Sequence, residues 1–335
     1  MSRIAVIIVN YNGGAMLRDC LAALGAQTMR PARVLVVDNG SRDGSVEACR
    51  PDFPWVEFHS MGANLGFARG NNVAIDMVAD CDWIALLNPD AFPEPQWIEA
   101  LQRATRTFPD TDLFASCMIS AVDPGIIDGA GDAYRVDGLA WPRFQGASTS
   151  RLPQQPEEVF SPSAGAGFYR RSVLVEVGGF CERFFCYYED VDLGFRLRLR
   201  GSRCRYIPDA VVRHMGSAIS GGKASEFSVY HAHRNFVWTY ARNMPGWYVW
   251  FYLPAHIAAN LTSMVLFIRK GQGRVILKAK RDALVGLPAT LRERRRVQGI
   301  RATPSASVVA SMERGSLLTT LFRRATRSFR HAAAR

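Results

Sequence analysis

Short, continuously apolar runs alternate with helically spaced ones through the first third of the chain. Residues 4–9, 34–38, 55–60 and 83–88 have the length and apolar density of buried strands. Residues 16–24, a segment beginning near Gly44, and residues 68–79 carry helical spacing. Residues 93–107 read as a further helix with Pro95 in its first turn, where a missing N–H costs nothing. Apolar strands alternating with helices predict an α/β fold around a mostly parallel sheet with right-handed crossovers. Polar residues close each strand: 10–12, 38–41 and 88–90. Open sheets bind ligands at that edge, so residues 1–120 are expected to form a nucleotide-binding half.

The pattern weakens over residues 121–165, which are rich in Gly, Pro and Ser and read as a functional loop. Helical periodicity resumes from Ala166. Residues 190–200 read as a helix stopped by Gly201, and 204–207 as a strand. Residues 243–268 contain no Asp, Glu, Lys or Arg, and Arg269 and Lys270 follow. That segment is long enough to span a bilayer. Its Pro254, His256, Asn260, Thr262 and Ser263 suit a buried, interfacial or re-entrant helix equally well. Near the end, Leu317, Leu318, Leu321, Phe322, Ala325 and Phe329 share one side of a helix, with Arg323, Arg324, Arg327 and Arg330 opposite. A basic amphipathic helix of this kind suits an anionic membrane surface; a helix docked on the body by its apolar side is the other reading.

Charge divides the chain in the same place. The 335 residues carry a formal +11. From Arg269 onward there are 17 basic and 3 acidic residues, against 24 and 27 before it. The body is slightly acidic, which excludes a general nucleic-acid binder. At 48% hydrophobic and 21% charged the chain is expected to fold. Its seven cysteines are scattered, with no CxxC pair, so neither a zinc site nor a disulfide framework is expected, and a reducing cytoplasm is the simplest setting. Residues 4–9 are too short for the apolar core of a secretory leader.

Four clusters carry candidate chemistry. Asp38 opens the run DNGSRDGS and could accept from a base or ribose, or close its strand as an Asx turn. In Asn64-Leu65-Gly66-Phe67-Ala68-Arg69-Gly70-Asn71-Asn72, glycine admits close backbone approach and Arg69 could meet a carbonyl or phosphate. Asp90 ends Leu87-Asn88-Pro89-Asp90, as a helix cap or as a ligand to a hard divalent ion that also binds phosphate. Glu189, Asp190 and Asp192 crowd three carboxylates into a helix start, more than capping requires. Crowding raises the pKa of such a group, and one facing a substrate hydroxyl can act as a general base.

In this order the motifs resemble family 2 glycosyltransferases of the GT-A fold, and within them the rhamnosyltransferase-like branch that extends bacterial surface polysaccharides. The matching residues are VIIVNYNGG at 6–14, VVDNGSRDGS at 36–45, NLGFARGNN at 64–72, LNPDA at 87–91, YYEDVDLGFRLRLRG at 187–201 and HMGS at 214–217. The resemblance covers roughly residues 3–245. It implies a catalytic domain over 1–245, its acceptor half in 121–245, followed by a helical membrane-associating extension over 246–335.

The resemblance further implies that Asn10, Tyr11, Asn12, Asp38, Asn64, Gly66, Arg69, Asn72, Asn88, Asp90 and Arg234 bind a nucleotide-diphosphate sugar. Asp38 would take the pyrimidine N3–H, and Arg234, in an Arg-Asn pair with Asn235, the diphosphate. Asp90 matches the last Asp of the DXD motif, and with His214 it would hold Mg2+ or Mn2+. Asn88 stands where many members have the first Asp, which thins the metal shell. Asp190 would be the base of an inverting displacement, and Glu189 would orient the acceptor. The implied donor is dTDP-rhamnose, with UDP-galactose, UDP-glucose or UDP-N-acetylglucosamine as alternatives. The implied acceptor is a polyprenyl-diphosphate-linked saccharide at the cytoplasmic face of the inner membrane. A non-catalytic nucleotide- or membrane-binding relative would lack the acidic motif, which is intact here.

Overall fold

The computed structural model describes residues 2–216 and 225–315. The first half runs β1 (Ile4–Asn10), α1 (Gly14–Gly25), β2 (Arg33–Asp38), α2 (Ser45–Cys49), β3 (Glu57–Ser60), α3 (Phe67–Met77), β4 (Trp83–Leu86), β5 (Ala91–Pro93), α4 (Trp97–Thr107) and β6 (Leu113–Ser120). The second half follows as β7 (Ile127–Ala130), β8 (Asp132–Tyr134), β9 (Ala140–Pro142), β10 (Glu157–Val159), β11 (Gly167–Arg170), α5 (Arg171–Glu176), α6 (Glu189–Arg200), β12 (Cys204–His214) and α7 (Glu226–Asn243). Four more helices close the described chain: α8 (Tyr248–Phe251), α9 (Leu253–Arg269), α10 (Gly273–Gly299) and α11 (Ser305–Ala310).

The main sheet has the order β10-β12-β6-β11-β4-β1-β2-β3. Strands β3, β2, β1 and β4 are parallel, as are β6 and β12; β11 lies antiparallel between β4 and β6. Register places Asn10 opposite Asp38 and Asp38 opposite Ser60, so the polar strand ends meet at one edge. Alternate residues of each central strand feed two cores. Ile4, Val6 and Ile8 pack with Leu17, Leu21 and Trp97 on one face. Ala5, Ile7 and Val9 pack with Ile75, Leu174 and Leu197 on the other.

The predicted α/β architecture is present, with local differences. The third strand begins at Glu57, because the backbone turns from Phe53 to Val56. Residues 91–93 pair with β12 as a strand, so the fourth helix begins only at Trp97 and Pro95 precedes it. Residues 167–170, read as helical, are the inserted strand β11; four residues are too few for periodicity to separate the two states. The segment 121–165 holds four short strands. The strand from Cys204 runs on to His214. All seven cysteines are free thiols.

The helices beyond residue 245 pack back on the sheet domain. The Trp238 indole on α7 donates to the Ala283 carbonyl on α10 at 2.9 Å. Gly286 lies under that indole, where a Cβ would come within 2.4 Å of the ring. Glu293 pairs with Arg183 and Arg242. Val308 and Val309 join Tyr134, Phe195 and Tyr240 in a third core. Among the described residues no helix is long and apolar enough to cross a membrane. The segment 247–268 is divided into α8 and α9, with His256 and Ala259 buried. The amphipathic pattern at 317–330 and Ser217 of the HMGS motif lie outside the described residues.

Candidate active site

A cavity of about 760 Å³ opens at the polar edge of the sheet. Tyr11, Asn64, Asn88, Asp90, Glu189, Asp190 and His214, seven of the sequence-derived candidates, line it. Asn10, Asn12, Asp38, Gly66, Arg69, Asn72 and Arg234 do not, and the structure gives each another task.

Asn10 is fully buried and donates to the hydroxyls of Ser41 and Ser45, both at 3.1 Å, tying the first strand end to the second. Asn12 accepts from the Arg42 amide at 2.9 Å. Asp38 accepts from the Ser41 amide three residues on at 3.0 Å, closing its strand end, and its neighbour Asn39 lines the cavity instead. Gly66 is required by proximity: with φ at +89°, a Cβ would lie 2.6 Å from the Phe185 ring. Arg69 is half exposed and faces Glu182 at 3.9 Å. Asn72 spends its amide on Phe180, donating to its carbonyl and accepting from its N–H. Arg234 donates to the Arg183 and Phe184 carbonyls and lies over Trp238, a placement different from the implied diphosphate contact.

The acidic wall is built by a strained turn. Phe185, Tyr187 and Tyr188 all have positive φ, at +66°, +65° and +67°. Non-glycine residues adopt that region at a cost, and such strain clusters at functional sites. The turn is held from α7, where the Asn235 amide lies within hydrogen-bond reach of the Phe184, Cys186 and Tyr187 carbonyls at 2.9, 2.9 and 2.6 Å. It delivers Glu189 and Asp190 at the first turn of α6. Asp192, the third carboxylate, is fully buried against Arg196, Arg242 and Asn243 at 2.8–2.9 Å and belongs to packing.

Burial and the neighbouring Asp190 push the Glu189 carboxyl well up, and its buried Oε2 has no hydrogen-bond partner. Burial also raises Asp190, against the pull of the Ala164 and Val191 amides that it accepts from at 3.2 and 2.8 Å. Across from them stands Asp132, which sequence reasoning missed. It is 5% exposed, its Oδ1 is unpartnered, and burial together with the charges of Asp190 and Asp128 drives its pKa up.

Asp128, also missed, meets the Nδ1 of His214 at 2.7 Å. The other ring nitrogen lies 3.3 Å from Asp90 Oδ1, near enough to pair but without hydrogen-bond alignment. Burial alone would lower the His214 pKa, yet Asp128 and Asp90 raise it to about 9. No cluster of three or more His, Cys, Asp or Glu among the described residues forms a complete metal cage. An imidazole nitrogen and a carboxylate oxygen, both buried and 3.3 Å apart, nevertheless fit a divalent ion that takes its remaining ligands from substrate phosphate and water. Asp128 would orient the imidazole from behind.

The family model described as Glycosyl transferase family 2 matches residues 5–178. An N-acetylglucosaminyl-diphospho-decaprenol L-rhamnosyltransferase of Mycobacterium tuberculosis is 34% identical over 248 residues, 68% of this chain and 80% of that protein. The O-antigen chain rhamnosyltransferase RfbN of Salmonella typhimurium is 27% identical over 63% of this chain and 66% of its own. The solved structure of GalNAc-T7 with UDP, GalNAc and Mn2+ has a TM-score of 0.58, covering 72% of this chain and 48% of that one at 13% identity, a likeness of fold. The chain belongs to glycosyl transferase family 2, and it is a glycosyltransferase of GT-A fold on the rhamnosyltransferase-like branch.

Proposed function

We propose that the chain transfers L-rhamnose from dTDP-rhamnose, with inversion, to a polyprenyl-diphosphate-linked saccharide, in the assembly of a cell-surface polysaccharide. The observation that carries the reading is one cavity lined by Glu189 and Asp190, whose carboxyls burial raises, together with Asp90 and His214. The name of the Mycobacterium tuberculosis relative supports the donor sugar and the lipid-linked acceptor.

In this mechanism Tyr11, Asn39, Asn64 and Asn88 receive the nucleotide at the sheet edge. Asp90 and His214 would hold Mg2+ or Mn2+, which neutralises charge on the departing diphosphate when bound. Asp190 accepts the acceptor hydroxyl proton as that oxygen bonds to the anomeric carbon. The bond from the anomeric carbon to the diphosphate oxygen breaks on the opposite face, and its electron pair leaves with the nucleoside diphosphate. Glu189, whose carboxyl burial and Asp190 push up, orients the acceptor. Residues 1–245 carry the chemistry, and 246–335 hold the protein as a peripheral enzyme at the cytoplasmic face of an anionic membrane.

A thermal-shift panel of nucleotide sugars, each with and without manganese, tests the donor. A shift specific to dTDP-rhamnose supports the reading. A shift specific to a UDP-hexose moves the donor to that sugar. No shift with any nucleotide sugar would favour a non-catalytic relative.

A further inference from the structure

We infer that the exposed stripe of α8 and α9 is a bilayer-docking surface whose opposite side walls the acceptor end of the active-site cavity. The inference rests on the lipid-linked acceptor proposed above. Ile257, Leu261, Val265 and Ile268 recur every three or four residues along α9 and are each about half exposed, between 48% and 56%. At the helical period they share an arc of about 80°. Trp247 and Trp250 precede them at 59% and 72% exposure. Scattered exposed leucines need no explanation, but a run of this length marks an interaction face.

Charge and composition select the partner. The uncharged stretch 243–268 ends at Arg269 and Lys270, and Arg274 follows on α10. Tryptophan favours the zone where hydrocarbon meets water, and cations at the end of an apolar helix favour anionic headgroups. The inward face of α9 is committed to the protein. His256 is buried and its Nδ1 donates to the Asp137 carbonyl at 2.8 Å, fitting a neutral ring held well below its ordinary pKa by burial. Asn260 accepts from Lys280 at 2.6 Å. Phe267 packs edge-on against His233 with ring centroids 4.7 Å apart, and both rings line the cavity. One helix therefore presents hydrocarbon outward and cavity wall inward. A saccharide anchored in the bilayer by its lipid would enter past Phe267.

The test is vesicle co-sedimentation of the full chain, using phosphatidylethanolamine and phosphatidylglycerol at an ionic strength that screens the basic tail. Ile257→Glu and Leu261→Glu should each weaken partitioning by about tenfold. Transfer to an acceptor embedded in those vesicles should fall in parallel, while transfer to the same saccharide on a short water-soluble chain stays at the wild-type rate. Val175→Glu, an exposed apolar position on α5, should leave both unchanged. Unaltered partitioning of the two stripe variants would overturn the inference. So would conversion of a dimer to a monomer with vesicle binding unchanged, which would give the stripe to a second copy. If the wild-type chain glycosylates no lipid-linked acceptor yet partitions through the stripe, the docking surface stands and the proposed acceptor fails.

Discussion

Asn235 donates its side-chain amide to the main-chain carbonyl of Tyr187 at 2.6 Å, pinning a tyrosine whose φ is +65°. The same amide reaches the carbonyls of Phe184 and Cys186, so one buried side chain holds the turn that aims Glu189 and Asp190. Asn235→Ala should cost about 1–3 kcal/mol in stability through orphaned carbonyls. It should also lower kcat by about 100-fold through misplaced carboxylates, with donor affinity unchanged. A variant that loses stability but keeps wild-type kcat in the folded fraction would limit Asn235 to packing.

Asp190→Asn removes the proposed base while keeping its shape and one of the two acceptor oxygens that now take the Ala164 and Val191 amides. The expected outcome is a loss of about 10²–10⁴-fold in transfer. Donor binding, read by thermal shift, should persist. Near wild-type turnover would sink the assignment.

How far the site could be read beforehand depended on what surrounded each residue. Asn88 and Asp90 stood out because an apolar run ends abruptly at them. Asp128 and Asp132 lie in a stretch with no period, and the pairings of β7 with β6 and β8 with β9 and a bridge from Asp132 to Ser161 bring them to the cavity. A local pattern cannot carry that information. The strand β11 escaped for a related reason: it is four residues long and its place is set by β4 and β6 on either side. Asn72 and Arg234 sit in recognisable motifs, yet their polar groups are used on Phe180, Arg183 and Phe184, contacts set by the tertiary fold.

Asp128 should matter to the proposed cation site without being one of its ligands. Its carboxylate fixes the Nδ1 side of His214 and leaves Nε2 turned toward Asp90. Outer partners of this type typically alter metal affinity about 10–100-fold. Asp128→Asn should therefore raise the manganese concentration needed for a half-maximal thermal shift by that factor, and should also lower manganese-free stability at neutral pH by removing a partner that raises His214. Equal manganese responses in variant and wild type would remove Asp128 from the site.

Asp192 should behave unlike its two neighbours in the acidic motif. Its charge is matched by Arg196 and Arg242 inside the protein, and they hold its pKa down against burial. Asp192→Ala strands buried cations and should cost about 3–5 kcal/mol. The folded fraction should keep its kcat. A stable Asp192→Ala variant with abolished turnover would reverse this division.

Burial of Asp132 beside Asp190 makes stability respond to pH. Both carboxyls are raised, Asp132 by burial and then by the charges of Asp190 and Asp128. Near about pH 3 the folded and unfolded chains both hold these protons, and Asp132 contributes no pH dependence. As pH rises through the ordinary carboxylate range, the unfolded chain releases its proton while the folded chain keeps it. Stability is lost across that window, up to the raised folded pKa. Asp132→Asn cannot ionise and escapes the loss. Its Tm should exceed that of the wild type at neutral pH and match it near about pH 3. A Tm difference independent of pH would show that Asp132 does not keep its proton in the folded chain.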